Sequence, residues 1–281
     1  MNPQDATLGL PLPLTGATRL FAIIGDPIDQ AGSPGLFNQA FRALGLPAVL
    51  VPLQIPTAGL SDLIRVYRQS RNWDGLIVTV PHKVDMYSLM DELGPGAQST
   101  GAVNTIKKTA DGRLIGDNFD GAGFVRGLTQ HGHTLQDKNV LMIGAGGAGR
   151  AIAHAIARAG ARHITLTDRD HGRARALAAN LAADYPQVAV WTLATPQGAA
   201  AAHEVIVNCA PPDGENLPVD LSPAPKGTLV VDIVLKPAWT PLLAAASTKN
   251  LHTHAGIHML SGQVDEILEF FGLCSSGDLR S

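Results

Sequence analysis

Apolar and polar positions along this chain follow two rhythms. Short continuous apolar runs recur, and between them apolar residues fall at the three-and-four spacing of helices. The run Phe21 to Gly25 ends at Asp26-Pro27, the pattern of a strand buried on both faces of a parallel sheet. Ser33 at the N-cap and Pro34 at the first helical position open a helix with Leu36, Phe37, Ala40, Phe41 and Leu44 on one stripe, closed by Gly45. A strand at 48–53, a helix opening near Thr57 and a strand from Gly75 to Val80 follow. Asp111-Gly112 marks a hairpin turn within 103–118. The first part of the chain is therefore α/β with a mixed sheet.

From Asn139 the alternation becomes regular. Strands are predicted at 139–144, 163–168, 188–193, 204–209 and 228–235, with helices at 148–160 and 171–183. Strand, helix, strand in this order predicts a right-handed, doubly wound parallel sheet of Rossmann type. A last helix runs from Gly256 to Phe271, with Met259, Leu260, Val264, Ile267, Leu268 and Phe271 as a core-facing stripe.

Composition narrows the class. The chain has 281 residues, enough for two domains at roughly 150 residues each. Its net charge of −3 shows no basic excess, which argues against nucleic acid as a partner. Apolar residues make up 45% and charged residues 16%, enough for packed cores. No apolar stretch reaches the roughly 18 residues of a spanning helix, so no membrane partner is expected. Residues 1–19 lack a basic leader, are broken by prolines and read as a loose arm. Two cysteines, Cys209 and Cys274, give neither a disulfide framework nor a zinc spacing. These features together predict a cytoplasmic globular protein, a monomer or homodimer acting on a small molecule.

The chemistry begins at Gly144-Ala145-Gly146-Gly147-Ala148-Gly149, which fits G-x-G-x-x-G between a strand and a helix. Gly144 permits the tight turn, Gly146 lets the backbone approach a pyrophosphate, and Gly149 lets helix and strand pack closely. Asp168 follows 19 residues after Gly149, at the end of the next strand. An acidic side chain there accepts from ribose hydroxyls and repels a 2′-phosphate. Arg169 is the residue type that a 2′-phosphate would want, but Asp168-Arg169-Asp170 keeps one net negative charge. The cofactor expected is NAD in preference to NADP.

Reduction of a ketone by hydride also needs a proton donor at the oxygen. Lys83, just past a strand that stops at Pro81, and Asp120, between a strand and a helix, are the candidates. The stretches IGDPIDQAGSP, VTVPHK, GAVNT, GDNFDGAGF, GAGGAGRA, VIVNCAP, VVDIVLKP with TPLL, and GIHMLSGQ resemble the shikimate dehydrogenase family in order and spacing, from about Leu20 to Phe271. The resemblance implies a substrate domain of 20–121 with 257–281, a Rossmann-type NAD(P) domain of 122–256, and catalysis in the cleft. It implies that Lys83 and Asp120 form the acid/base pair. It further implies that Ser33, Thr79, Asn104 and Gln263 hold the carboxylate and ring hydroxyls of a shikimate- or quinate-type substrate, with Ile233 and Gly256 near the nicotinamide. By analogy, Gly121–Gly123 and Gly256 would be hinges.

Departures from the family pattern bear on the substrate. Ala31 stands where the family has a serine, Leu235 where it often has a tyrosine, Phe119 for a threonine and His258 for a glycine. Asp168 and Asp170 replace an asparagine and a threonine associated with NADP, which again points to NAD. An alternative reading is a dinucleotide-binding regulator with lost or altered catalysis; a folate-linked dehydrogenase fits GDNFDG poorly. The pairs His131/His133 and His252/His254 read as surface loops rather than metal ligands. His82 reads as lining the cleft or packing behind it, Cys209 as a small buried apolar residue, and Lys107-Lys108 as a solvated hairpin face.

Overall fold

The computed structural model describes residues 14–214 and 216–274, so most of the expected arm at 1–19 lies outside the described residues. The chain forms two compact units, 14–117 with 267–274 and 118–266. Among the described residues no helix is long and apolar enough to cross a membrane.

The first unit runs β1 (Arg19–Gly25), α1 (Ser33–Ala43), β2 (Ala48–Gln54), α2 (Leu60–Gln69), β3 (Trp73–Val78), β4 (Glu92–Leu93), α3 (Pro95–Thr100), β5 (Thr105–Lys108) and β6 (Leu114–Asp117). Its sheet has the order β2-β1-β3-β5-β6-β4. The β3–β5 and β5–β6 pairs are antiparallel and the other pairs parallel, which is the mixed sheet expected. Gly112 adopts φ +84° at the hairpin turn, a conformation that glycine reaches without a Cβ penalty. Two details differ from the sequence reading. Ser33 is the first helical residue, not the N-cap, and its hydroxyl caps nothing; β3 stops at Val78, two residues early. Lys107 and Lys108 also differ: Lys107 lies over the Phe270 ring at 4.3 Å. Lys108 donates to the carbonyls of Tyr67 and Ser70 at the end of α2, where a cation meets the negative end of the helix dipole.

The second unit runs α4 (Asp120–Gln130), β7 (Asn139–Ile143), α5 (Gly147–Arg158), β8 (His163–Thr167), α6 (His171–Asp184), β9 (Ala189–Thr192), β10 (Val205–Asn208), β11 (Leu229–Asp232), α7 (Pro241–Thr248), β12 (His252–Ala255) and α8 (Gly256–Phe270). Its sheet, β12-β11-β10-β7-β8-β9, is parallel throughout. The order reverses between β7 and β10, and in such sheets ligands bind at the carboxyl ends of the strands beside that switch. The helix α7 went unread in the sequence although Thr240-Pro241 is a helix start: Thr240 Oγ1 accepts from the Leu243 N–H at 3.3 Å.

Candidate active site

Across the switch point of the second unit lies a cavity of about 650 Å³. On one side it is lined by Gly144, Gly146, Thr167, Asp168, Arg169 and Arg173, and on the other by Asn208, Cys209, Asp232, Val234 and Thr240. The glycines shape it. Gly144 has φ +100°, and a Cβ there would lie 2.8 Å from the main chain of Cys209 and Ala210. A Cβ on Gly149 would lie 2.2 Å from the Gly144 carbonyl oxygen, so helix and loop approach only because it is glycine. Gly146 and Gly147 face open space, and no side chain caps α5. The first-turn N–H groups of α5, those of Gly147, Ala148 and Gly149, have no carbonyl of their own helix to reach and suit a pyrophosphate. Asp168 accepts from the Ala145 N–H at 2.6 Å and from the Asp170 N–H at 2.8 Å, so its carboxylate is fixed where loop and β8 meet. Arg169 is exposed at the rim. Asp170 instead caps α6, accepting from Gly172 and Arg173. These residues fit a bound dinucleotide.

Farther along this sheet, Ile233 and Gly256 touch through the backbone. A Cβ on Gly256 would lie 2.4 Å from the Ile233 carbonyl oxygen. Gly121 and Gly123 are likewise used for contact, against the Ala151 carbonyl and against Met259 and Gln263 of α8. All three glycines are therefore close-packing positions in the second unit. Gly123 leaves room for the stem of Gln263, which is buried. Asp120 is buried at the first position of α4, where the helix dipole favours a carboxylate, and its N–H donates to Asn118 Oδ1 at 3.1 Å.

The first unit carries the other sequence-predicted residues on strand ends and the turns after them. Lys83 is half-buried in the turn following β3, and its carbonyl accepts from the Val103 N–H at 2.8 Å. Thr79 is fixed by its N–H to the Ile24 carbonyl at 2.9 Å. Asn104 is buried between β3 and β6: its carbonyl accepts from the Val78 N–H at 2.7 Å, and its N–H donates to the Asp117 carbonyl at 2.9 Å. Thr105 Oγ1 donates to Asn104 Oδ1 at 2.9 Å and orients the amide. Ser33 is buried at the start of α1. His82 is fully buried and its Nε2 donates to the Ile55 carbonyl at 2.7 Å, so it packs behind the turn. Asp117, which sequence reasoning passed over, accepts from the Ala97 N–H at 2.8 Å and ties α3 to β6.

The two His-x-His pairs, expected on separate surface loops, come together in the second unit. The His254 ring lies 5.1 Å from His131, 5.8 Å from His133 and 4.7 Å from His258, and His133 is 6.2 Å from His252. His254 is buried with no partner for Nε2, and burial followed by its histidine neighbours holds it neutral to about 3. Among the described residues no group of three potential ligands is arranged to hold a metal ion. Cys209 lines the cavity, and burial, then the charges of Asp232 and Asp120, push its thiol above the ordinary range, which disfavours the thiolate.

A parallel doubly wound sheet with this glycine loop and an acid at the end of the next strand defines a dinucleotide-binding protein, here joined to a separate α/β unit. The family model described as the shikimate dehydrogenase substrate binding domain matches residues 23–106. The model described as NADP oxidoreductase coenzyme F420-dependent matches residues 139–236. The chain is 35% identical over 248 residues to shikimate dehydrogenase (NADP(+)) of Lysinibacillus sphaericus (strain C3-41), covering 86% of this chain and 88% of that one. Shikimate 5-dehydrogenase from Listeria monocytogenes, solved with shikimate and NAD, superposes with TM-score 0.84 at 27% identity over 94% of this chain and 95% of that one. Ligand-free 5-ketofructose reductase of Gluconobacter sp. strain CHM43 superposes with TM-score 0.82 at 27% identity over 92% and 94%. The chain belongs to the shikimate dehydrogenase family.

Proposed function

We propose that this protein is an NAD(P)-dependent dehydrogenase that moves a hydride between the nicotinamide and a ring carbon of a hydroxylated cyclohexene or cyclohexane carboxylate, of shikimate or quinate type. The observation that supports it most is Lys83, held by Val103 in the turn after β3, within the segment that matches the substrate-binding model. A bound nicotinamide supplies the hydride acceptor or donor. Lys83 orients the reacting oxygen. In oxidation the ring hydroxyl gives its proton to the Lys83–Asp120 pair as the carbon loses hydride; in reduction the pair returns it. Ser33, Thr79, Asn104 and Gln263 bind the carboxylate and the remaining hydroxyls. Ser33, Asn104 and Gln263 are buried, which keeps their polar groups out of competition with bulk water, and Thr79 is half-buried beside the turn.

Between the two dinucleotides we favour NAD. The Asp168 carboxylate, fixed by two backbone N–H groups, stands where a 2′-phosphate would add negative charge. The curated relatives, the L. sphaericus protein among them, are named for NADP(+) and so favour NADP, while the L. monocytogenes structure contains NAD; the preference for NAD rests on Asp168. Steady-state assays of shikimate, quinate and related acids with each dinucleotide test both statements. The expected result is turnover of a ring acid, a higher kcat/KM with NAD, and a fall of about tenfold in that ratio for Asp168→Ala. Ala31 favours a second reading, a polyhydroxy ketone without a carboxylate, the class named by the Gluconobacter neighbour. Tight dinucleotide binding with no turnover over the whole panel would identify a regulator instead.

A further inference from the structure

Asp232 ends β11, is buried, and has no part in the reaction above. Its carboxylate gathers three segments. Oδ1 accepts from Asn208 Nδ2 at 3.1 Å and from the Val234 N–H at 3.2 Å, and Oδ2 accepts from Thr240 Oγ1 at 2.7 Å. Asn208 ends β10, and its Oδ1 in turn accepts from the Ala210 N–H at 3.1 Å. Thr240 caps α7. One carboxylate therefore fixes the turn after β10, the turn after β11 and the start of α7.

All three segments border the dinucleotide cavity. Asp168 marks its adenosine half on the β8 side of the switch point, which leaves the β10–β11 side for the nicotinamide half. Ile233, between Asp232 and Val234, has its N–H on the Asn208 carbonyl at 3.1 Å and its own carbonyl against Gly256. Burial raises the Asp232 carboxyl from its ordinary value, while the bonds from Thr240, Val234 and Asn208 oppose the rise. The three bonds come from neutral donors on separate segments, so this carboxylate fixes where those segments lie against one another.

We propose that Asp232 is a positioning residue for the nicotinamide half of the dinucleotide, holding the 208–210 and 233–234 backbone that forms its wall. The proposal rests on the dinucleotide-dependent reading above and deepens it. ADP-ribose keeps the adenosine and pyrophosphate but lacks the nicotinamide, so it separates placement from folding. Titration of the full chain with NADH and with ADP-ribose should show Asp232→Ala weakening NADH at least tenfold while ADP-ribose changes less than twofold. Asp232→Asn, which keeps an oxygen for Asn208 Nδ2 and the Val234 N–H, should recover most of the loss. If Asp232→Ala does not fold, Thr240→Val removes the bond to Oδ2 at similar volume, and NADH alone should weaken severalfold. Equal loss of both ligands, or NADH binding at the wild-type level, overturns the proposal. Binding needs no turnover: a wild type that binds NADH yet oxidises no ring acid overturns the reaction and leaves Asp232 to be judged on its own titrations.

Discussion

Between residues 118 and 266, the groups suited to meet a dinucleotide are largely main-chain atoms, left bare at Gly146 and Gly147 in a loop whose close approach Gly144 and Gly149 permit. In the unit of 14–117 with 267–274, the groups proposed above to meet a substrate are side chains: Ser33, Thr79, Lys83 and Asn104. A main-chain site is fixed by backbone path and withstands side-chain change elsewhere. A side-chain site is retuned by single atoms. Ala31 falls in the first unit, where on the proposed reading a serine hydroxyl would change what is recognised while the sheet behind it stays as it is.

The largest expected effect is at Lys83. Lys83→Ala should lower kcat by about 10²–10⁴-fold with NADH affinity unchanged, measured by steady-state kinetics beside fluorescence titration. Unchanged turnover would break the assignment of chemistry to side chains of the first unit. Gly149→Ala is the counterpart in the second unit. Its Cβ, 2.2 Å from the Gly144 oxygen, should cost about 1–3 kcal/mol in urea unfolding and weaken dinucleotide binding as the loop shifts.

Acid should separate the units next. His254 stays neutral in the folded protein down to about 3, whereas an unfolded histidine protonates near 6.5. Its folded value is depressed, so stability is complete above about pH 6.5 and is lost as pH falls toward about 3. From pH 8 to pH 5 the unfolding constant should rise about thirtyfold on this account, roughly 2 kcal/mol. His254→Gln should flatten that slope, and hydrogen exchange should show 118–266 opening before the other unit. An unchanged slope in the variant would remove the histidine cluster from the account. The smallest effect expected is that of Ala31→Ser, which restores a hydroxyl and should lower the KM for shikimate by up to about tenfold with little change in kcat.

The second unit's fold was legible because its signals are local. Apolar runs of parallel strands, the glycine loop and Asp168 all sit within a short stretch of sequence. The hairpin at Asp111-Gly112 was legible for the same reason. The histidine cluster was not, because α4 and the β12–α8 segment bring His131, His133, His252, His254 and His258 together over more than a hundred residues. Lys108 read as solvated because only tertiary structure places the end of α2 beside it. Asp232 stood in a quoted motif, yet its three partners lie on separate segments that no spacing rule links. Gly121, Gly123 and Gly256 were placed only by analogy with the family, and the packing of neighbouring backbone shows why small residues sit there.

The seat of Phe271 carries a consequence for how this chain is made. Its ring lies 5.0 Å from Phe21 and fits because Gly75 has no Cβ, which would stand 2.5 Å from it. During synthesis, residues 14–117 leave the ribosome 150 residues ahead of 267, the first residue of the returning segment. At about 5–20 residues per second that is a wait of roughly eight to thirty seconds. The nascent first unit must keep the place beside Phe21 open or guarded while 118–266 is made, so the later-starting second unit is complete in sequence before the first.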